Sequence, residues 1–384
     1  VSDVRAPGAE LIATMTATMP DPDPAMRQAG LDRWDALAKP PGALGRLEKL
    51  GAWVCAAQGA CPPEPLRDVR VVVFAGDHGI AASGVSAYPA AVTASMVRTM
   101  VAGGAAVNAL ARQVGAQVSV YDMAVDADLS DLGPSVVRHK VRRGTGSIDR
   151  EDAMSLDESI AAFAAGRAVA DEAADSGAQL LVVGDMGIGN TTPSAALVAL
   201  LTRNEVIDVV GRGTGIDDVT WMRKTAAIRD GVYRGRTRLS DPLDLLAALG
   251  GPDIAAMAGC LTQAAMRRTP VVLDGLVSTT AALIAQRVSF KAPRWFVAGH
   301  RSTEPAHSKA LERLGLHPLI EASMRLGEAT GALTAVPMVQ AAAALLGEMA
   351  LLDDVVPADL PAGQAPDDDV SATSEGDQPA PASS

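Results

Sequence analysis

Five short runs of β-favouring apolar residues recur along the chain, most of them closing on glycine: DVRVVVFAGDHG from Asp68, AQVSVYDMA from Ala116, AQLLVVGDMGIG from Ala178, TPVVLDGL from Thr269 and PRWFVAGH from Pro293. Ala-rich stretches of helical character lie between them. Strand and helix alternating in this way, with nearly unbroken apolar strands, predict an α/β fold: a mostly parallel sheet flanked by helices on both faces. In an open sheet of this kind ligands bind beyond the carboxyl ends of the strands. The glycines that follow Phe74, Val183, Leu273 and Ala298 are therefore expected at one rim.

Upstream, Asp21 to Cys61 has helical character interrupted once, at Pro40-Pro41, which predicts two helices joined by a turn. From about Val356 the chain is rich in Pro, Ala, Asp and Ser and has no hydrophobic period. That composition predicts a disordered tail over 356–384 whose removal leaves activity unchanged.

Composition narrows the range of partners. Of 384 residues 48% are hydrophobic, enough for a large core, and only 3% are aromatic. Pocket walls are accordingly expected to be aliphatic, which argues against single-stranded nucleic acid. The net charge of −12 argues against polyanions, although eight acidic residues from Asp353 onward leave about −4 for the rest. Cys55, Cys61 and Cys260 have neither metal-ligand nor redox spacing, and no signal-peptide or membrane-span pattern is apparent. A reducing cytoplasmic location, with no membrane partner, is the expectation.

The strand ends carry the candidate chemistry. GDMGIGNTTPSAAL, residues 184 to 197, joins an apolar strand to an Ala-rich helix. Its glycines at 184, 187 and 189 allow close backbone approach, and a helix N-terminus suits a phosphate. A plain strand-to-helix turn with an Asn-Thr cap explains the same residues. GRGTG at 211 to 215, with Arg223 and Lys224 downstream, is a second candidate phosphate loop. In FAGDHGI, Asp77 and His78 lack the further ligands a metal needs, and they are expected to order loops, with His78 a candidate substrate contact. DGLVSTTAALIA places Asp274 at a strand end, and in GHRSTEPAH Ser302 is a candidate helix cap with Pro305 in the first turn. No nucleophilic triad is present, so chemistry falls to carboxylates, and Glu328 in MRLGEATGAL stands alone among small and apolar neighbours.

Seven segments together, KPPGALGRLE, FAGDHGI, GDMGIGNTT, GRGTG, DGLVSTTAAL, GHRSTEPAH and MRLGEATGA, resemble the nicotinate-nucleotide:dimethylbenzimidazole phosphoribosyltransferase family over roughly residues 30 to 350. The resemblance implies a Rossmann-like sheet over 67–317 with a smaller helical domain built from 21–66 and 318–352. It implies transfer of 5-phosphoribose from nicotinate mononucleotide to 5,6-dimethylbenzimidazole or a related base, giving α-ribazole 5′-phosphate and nicotinate in cobalamin synthesis. No cofactor or metal is implied, and the family enzyme is a homodimer.

By motif, Glu328 matches the family's catalytic glutamate. Gly187, Gly189 and Lys224 match phosphate-holding positions, with Gly213 and Ser302 as neighbours. Asp185 stands where family members often have glutamate, and Tyr88, Met96 and Leu326 match the base pocket. Nicotinate leaves as a neutral pyridine and needs no acid, whereas an attacking benzimidazole must lose a proton. A carboxylate general base suits that step, and attack opposite the leaving group inverts the anomeric carbon. An apolar setting would raise the pKa of Glu328 and a nearby helix start would lower it. On the residues alone two other readings stay open: a metal-dependent sugar-phosphate hydrolase or epimerase using Asp77 and Asp185, and a non-catalytic nucleotide sensor.

Overall fold

A computed structural model describes residues 5–355; the tail predicted over 356–384 lies outside the described residues. Its centre is a five-stranded, wholly parallel sheet of β1 (Val69–Gly76), β2 (Gln117–Ala124), β3 (Leu180–Met186), β4 (Val271–Leu273) and β5 (Phe296–Ala298), in the order β2-β1-β3-β4-β5. The five strands correspond to the five apolar runs. Their side chains alternate between two cores, as the strand period of two requires. Val71, Val73, Ala75 and Val182 face one, and Val72, Phe74, Leu181 and Val183 face the other.

The second core is closed by the helices Thr191–Thr202, Pro252–Met266 and Leu276–Val288. The first is closed chiefly by Arg46–Gln58 and by the long helix Thr330–Glu348. Residues 24–58 and 330–348, the two ends of the span 24–348, thus meet on one face. The helix Pro24–Ala36, capped by Asp23 through the amides of Ala25 (2.8 Å) and Met26 (3.1 Å), packs Trp34 beside Cys55 and Leu346. An antiparallel bridge between Leu37 and Leu351 ties the same ends together.

Two features were not anticipated. Arg5–Thr18 is a helix whose Met15 enters the main core, and Thr16 Oγ1 donates to the Val288 carbonyl at 2.5 Å. Pro7 and Gly8 inside the run weaken its helical signal in the sequence. The helix Thr330–Glu348 has a mean hydropathy of 1.4 and is long and apolar enough to cross a membrane; here one face of it is buried against Arg46–Gln58, Ala106–Gln113 and the sheet.

The chain passes from β1 to one side, giving β2, and then to the other, giving β3. The crossover direction therefore reverses between β1 and β3. A crevice opens there beyond the carboxyl ends, where an open parallel sheet places its ligand.

Candidate active site

A cavity of about 720 Å³ occupies that crevice. Its size suits a nucleotide and a small base together. Of the residues singled out in the sequence, Asp185, Gly187, Gly189, Gly213, Ser302, Glu328, Tyr88, Met96 and Leu326 all line it. Lys224 does not.

Residue by residue, the strand ends differ from the sequence reading. β3 continues past Val183 through Gly184 and Asp185 to Met186, because Val73, Phe74 and Ala75 of β1 remain paired with Gly184, Asp185 and Met186. Gly184 is thus a strand glycine. A Cβ there would stand 2.5 Å from the amide nitrogen of Ala329, so what approaches it is the segment carrying Glu328, not a ligand. Gly187 does line the cavity, yet a Cβ on it would also meet the Gly76 carbonyl at 2.2 Å. Gly189 has φ +95° and serves the turn itself.

Asn190 is not a cap. It stands in a helical conformation without a capping bond, and its Nδ2 donates to Asp185 Oδ2 at 2.7 Å. Ser302 is likewise displaced from the capping role: the helix Pro305–Leu314 has Glu304 at its cap position, Pro305 is its first residue, and the Ser302 amide donates to His307 Nδ1 at 2.9 Å. His78 faces away from the cavity, with Nε2 3.0 Å from Asp253 Oδ2. Burial works against a charge on this imidazole, but Asp253 and its neighbours Asp77 and Asp185 outweigh it and raise the pKa. Asp77 orders loops as expected, accepting from the Asp126 amide at 2.9 Å.

Lys224 stands behind the cavity wall, 1% exposed, and donates to Thr191 Oγ1 at 2.8 Å. It reaches the back of the second glycine loop, for a Cβ on Gly213 would lie 3.2 Å from its Nζ. Burial lowers its pKa, and the carboxylate of Glu304 opposes that fall. Glu304 in turn accepts from the Gly213 amide at 2.8 Å. Lys224 and Glu304, both buried, thus each reach Gly213 of the loop.

Arg325 was not among the candidate residues drawn from the sequence. It lines the cavity and donates to the Gly213 carbonyl, joining the two loops, whereas Glu321 pairs with Arg301 at the surface. Among the described residues it is the only lysine or arginine on the cavity wall. No positional signal in the sequence marked it, because loop-to-loop proximity is set by the fold.

Glu328 is 4% exposed, and its Oε2 has no hydrogen-bond partner among the described residues. Burial pushes its carboxyl up to about 7, the charge of Asp274 adds to the rise, and the Val107 backbone amide works against it. The apolar setting therefore outweighs the opposing amide, which comes from the helix Ala106–Gln113 rather than from Glu328's own segment. Asp185 is pushed up to about 8, first by burial and then by Asp274, while its bond from Asn190 lowers it. Three carboxyls line the cavity, Asp185, Glu304 and Glu328; Asp185 and Glu328 keep protons to unusually high pH, and Glu328 has an oxygen free to take a proton from a ligand.

Comparison with known proteins agrees with this geometry. A family model described as a phosphoribosyltransferase matches residues 19–356. The nicotinate-nucleotide–dimethylbenzimidazole phosphoribosyltransferase of Mycobacterium marinum is 56% identical over 329 residues, covering 86% of this chain and 91% of that protein. The Mycobacterium tuberculosis protein of the same name is 56% identical over 334 residues, covering 87% and 92%. A crystal structure of the Thermus thermophilus protein of that name superposes with a TM-score of 0.81 at 41% identity, over 86% of this chain and 98% of the other. Matched in sequence and fold over most of its length, the chain belongs to this phosphoribosyltransferase family.

Proposed function

We propose that this enzyme moves 5-phosphoribose from nicotinate mononucleotide to 5,6-dimethylbenzimidazole or a related base, releasing nicotinate and α-ribazole 5′-phosphate for cobalamin synthesis. Glu328 is the general base. As one benzimidazole nitrogen attacks the anomeric carbon, Glu328 Oε2 takes the proton from the other, and the C–N bond to the neutral pyridine leaving group breaks on the opposite face. The configuration inverts from β to α.

The observation that carries this reading is the buried, unpartnered Glu328 oxygen at the wall of the cavity. Aliphatic Met96 and Leu326, with Tyr88 at the mouth, flank the space for a flat base. The phosphate is assigned to the side of Gly187, Gly189 and Gly213, with Lys224 behind and Arg325 beside it. Ser302 borders the same end, and Asp185 faces the ribose or nicotinate. The reading also takes the enzyme to act as a cytoplasmic homodimer, with its chain ends forming a helical lobe against the sheet.

Purified protein incubated with nicotinate mononucleotide and a panel of bases, with products read by mass spectrometry and anomeric configuration by NMR, tests it. A β-configured product, or release of free ribose phosphate without a base, would sink the proposal.

A further inference from the structure

Asp274 ends β4 and is wholly buried, and it does not line the cavity. Its carboxylate accepts from the amide of Ala329 at 3.2 Å and from the amide of Ala332 at 2.9 Å. Both amides belong to the start of the helix Thr330–Glu348. That helix has no cap of its own, since the residue at its cap position is Ala329. First-turn amides without an intrahelical partner need an acceptor, and a carboxylate suits the positive end of the helix. Here it arrives from another strand.

Just before this helix, Gly327, Glu328 and Ala329 have φ values of +82°, +59° and +68°. Residues with a Cβ hold such a conformation only when their surroundings enforce it. Gly184 leaves room for the turn from one side, and Asp274 grips its far end.

We propose that Asp274 is a positioning residue: by capping the Thr330–Glu348 helix from β4, it holds the left-handed 327–329 turn and so fixes the Glu328 carboxyl at the cavity wall. The inference rests on the general-base reading of Glu328. Asp185 of β3 and the Val107 amide of the helix Ala106–Gln113 act on the Glu328 carboxyl, and His300 after β5 and Arg325 of the same segment line the same cavity. His300 Nε2 lies 3.6 Å from Asp274 Oδ1, too far for a hydrogen bond. Burial raises the pKa of Asp274 as well, with the His300 imidazole and the amides of Ala332, Gly331 and Gly275 working against that rise, and in its ionised form Asp274 favours the protonated form of Glu328.

The test is D274N in the full chain, alone and combined with E328Q, with kcat, the KM for nicotinate mononucleotide and the pH profile of kcat measured for each. D274N is expected to lower kcat by about tenfold or more while KM stays within about threefold, and to move the acid limb to lower pH because a like charge has gone. Added to E328Q it should cost less than about threefold, since it acts through Glu328. A D274N enzyme with kcat within about threefold of wild type overturns the proposal. So does an unmoved acid limb, or an equal loss in both backgrounds. Wild-type turnover in E328Q alone would instead overturn the general-base reading. Should D274N fail to fold by circular dichroism, D274E keeps the charge but displaces the cap. It is expected to lose kcat with the acid limb in place, and wild-type kcat in it overturns the proposal.

Discussion

The backbone amide of Glu328 donates to the carbonyl oxygen of Asp185 at 3.2 Å. Asp185 and Glu328, two of the three carboxyl residues on the cavity wall, are therefore fastened by their main chains, β3 to the segment leading into the last long helix. A defect in either segment is felt by both.

Replacing Glu328 by Gln removes the proton acceptor but keeps the size. The turnover number is expected to fall by about 10² to 10⁴-fold. Binding of nicotinate mononucleotide, followed by calorimetry, should stay within about threefold, since the loss belongs to the transition state. A turnover number that stays near wild type would show that proton removal is not the work of this residue.

The acid limb of the rate profile follows from the same carboxyl. A base must be deprotonated to act, and burial holds Glu328 at about 7. Activity is expected to decline as pH falls through about 7, well above the ordinary glutamate range near 4.3. Initial rates from pH 5 to 9 check this.

Stability has the opposite pH dependence. Glu328 at about 7 and Asp185 at about 8 keep protons in the folded state that the unfolded chain releases near pH 4. Their contribution is full below the unfolded value and is lost as pH rises through 7 to 8. Asp185→Asn removes part of that loss, so its melting temperature should exceed wild type at pH 9 by about 2 °C or more and converge with it at pH 4. A uniform offset across pH would refute the linkage.

Gly184→Ala tests how tightly packing governs the site. Its new Cβ would lie 2.5 Å from the Ala329 nitrogen and 2.8 Å from the Glu328 carbonyl carbon. Overpacking of this kind costs about 1–3 kcal/mol, to be read by denaturant unfolding. Because the displaced segment carries Glu328, kcat should suffer more than KM.

Arg325→Ala removes the one arginine that the described residues place on the cavity wall and its tie to Gly213. A charge-assisted bond to an anion is worth about 1.5–3 kcal/mol, so KM for nicotinate mononucleotide should rise by about tenfold or more with a smaller change in kcat. An unchanged KM would place the phosphate elsewhere.

How much of this was legible in the sequence depends on whether the signal is local. The apolar runs marked all five strands, since most of their residues are buried, the start of β2 excepted, and Pro40-Pro41 marked the break between the helices Pro24–Ala36 and Arg46–Gln58. The strand order was not legible, because no local residue says on which side of β1 the next strand falls. Glu328 stood out by chemistry against its neighbours. Asp253 behind His78 and Arg325 beside Gly213 did not, and Asp274 was marked only by its place at a strand end, because each acquires its role from a partner distant in sequence. Asn190 and Ser302 were read as candidate caps from local pattern, and partners five residues away, Asp185 and His307, took the Asn190 side-chain amide and the Ser302 backbone amide instead.

The scarcity of rings along the cavity wall has an optical consequence. Among the described residues Tyr88 is the only Phe, Tyr or Trp that lines it, and Trp34, Trp53, Trp221 and Trp295 all lie elsewhere. A base entering this space touches no indole, so contact quenching of tryptophan emission cannot report its arrival. The fluorescence of the benzimidazole itself, transferred from water to an aliphatic wall, is the signal by which occupancy of this enzyme would be seen.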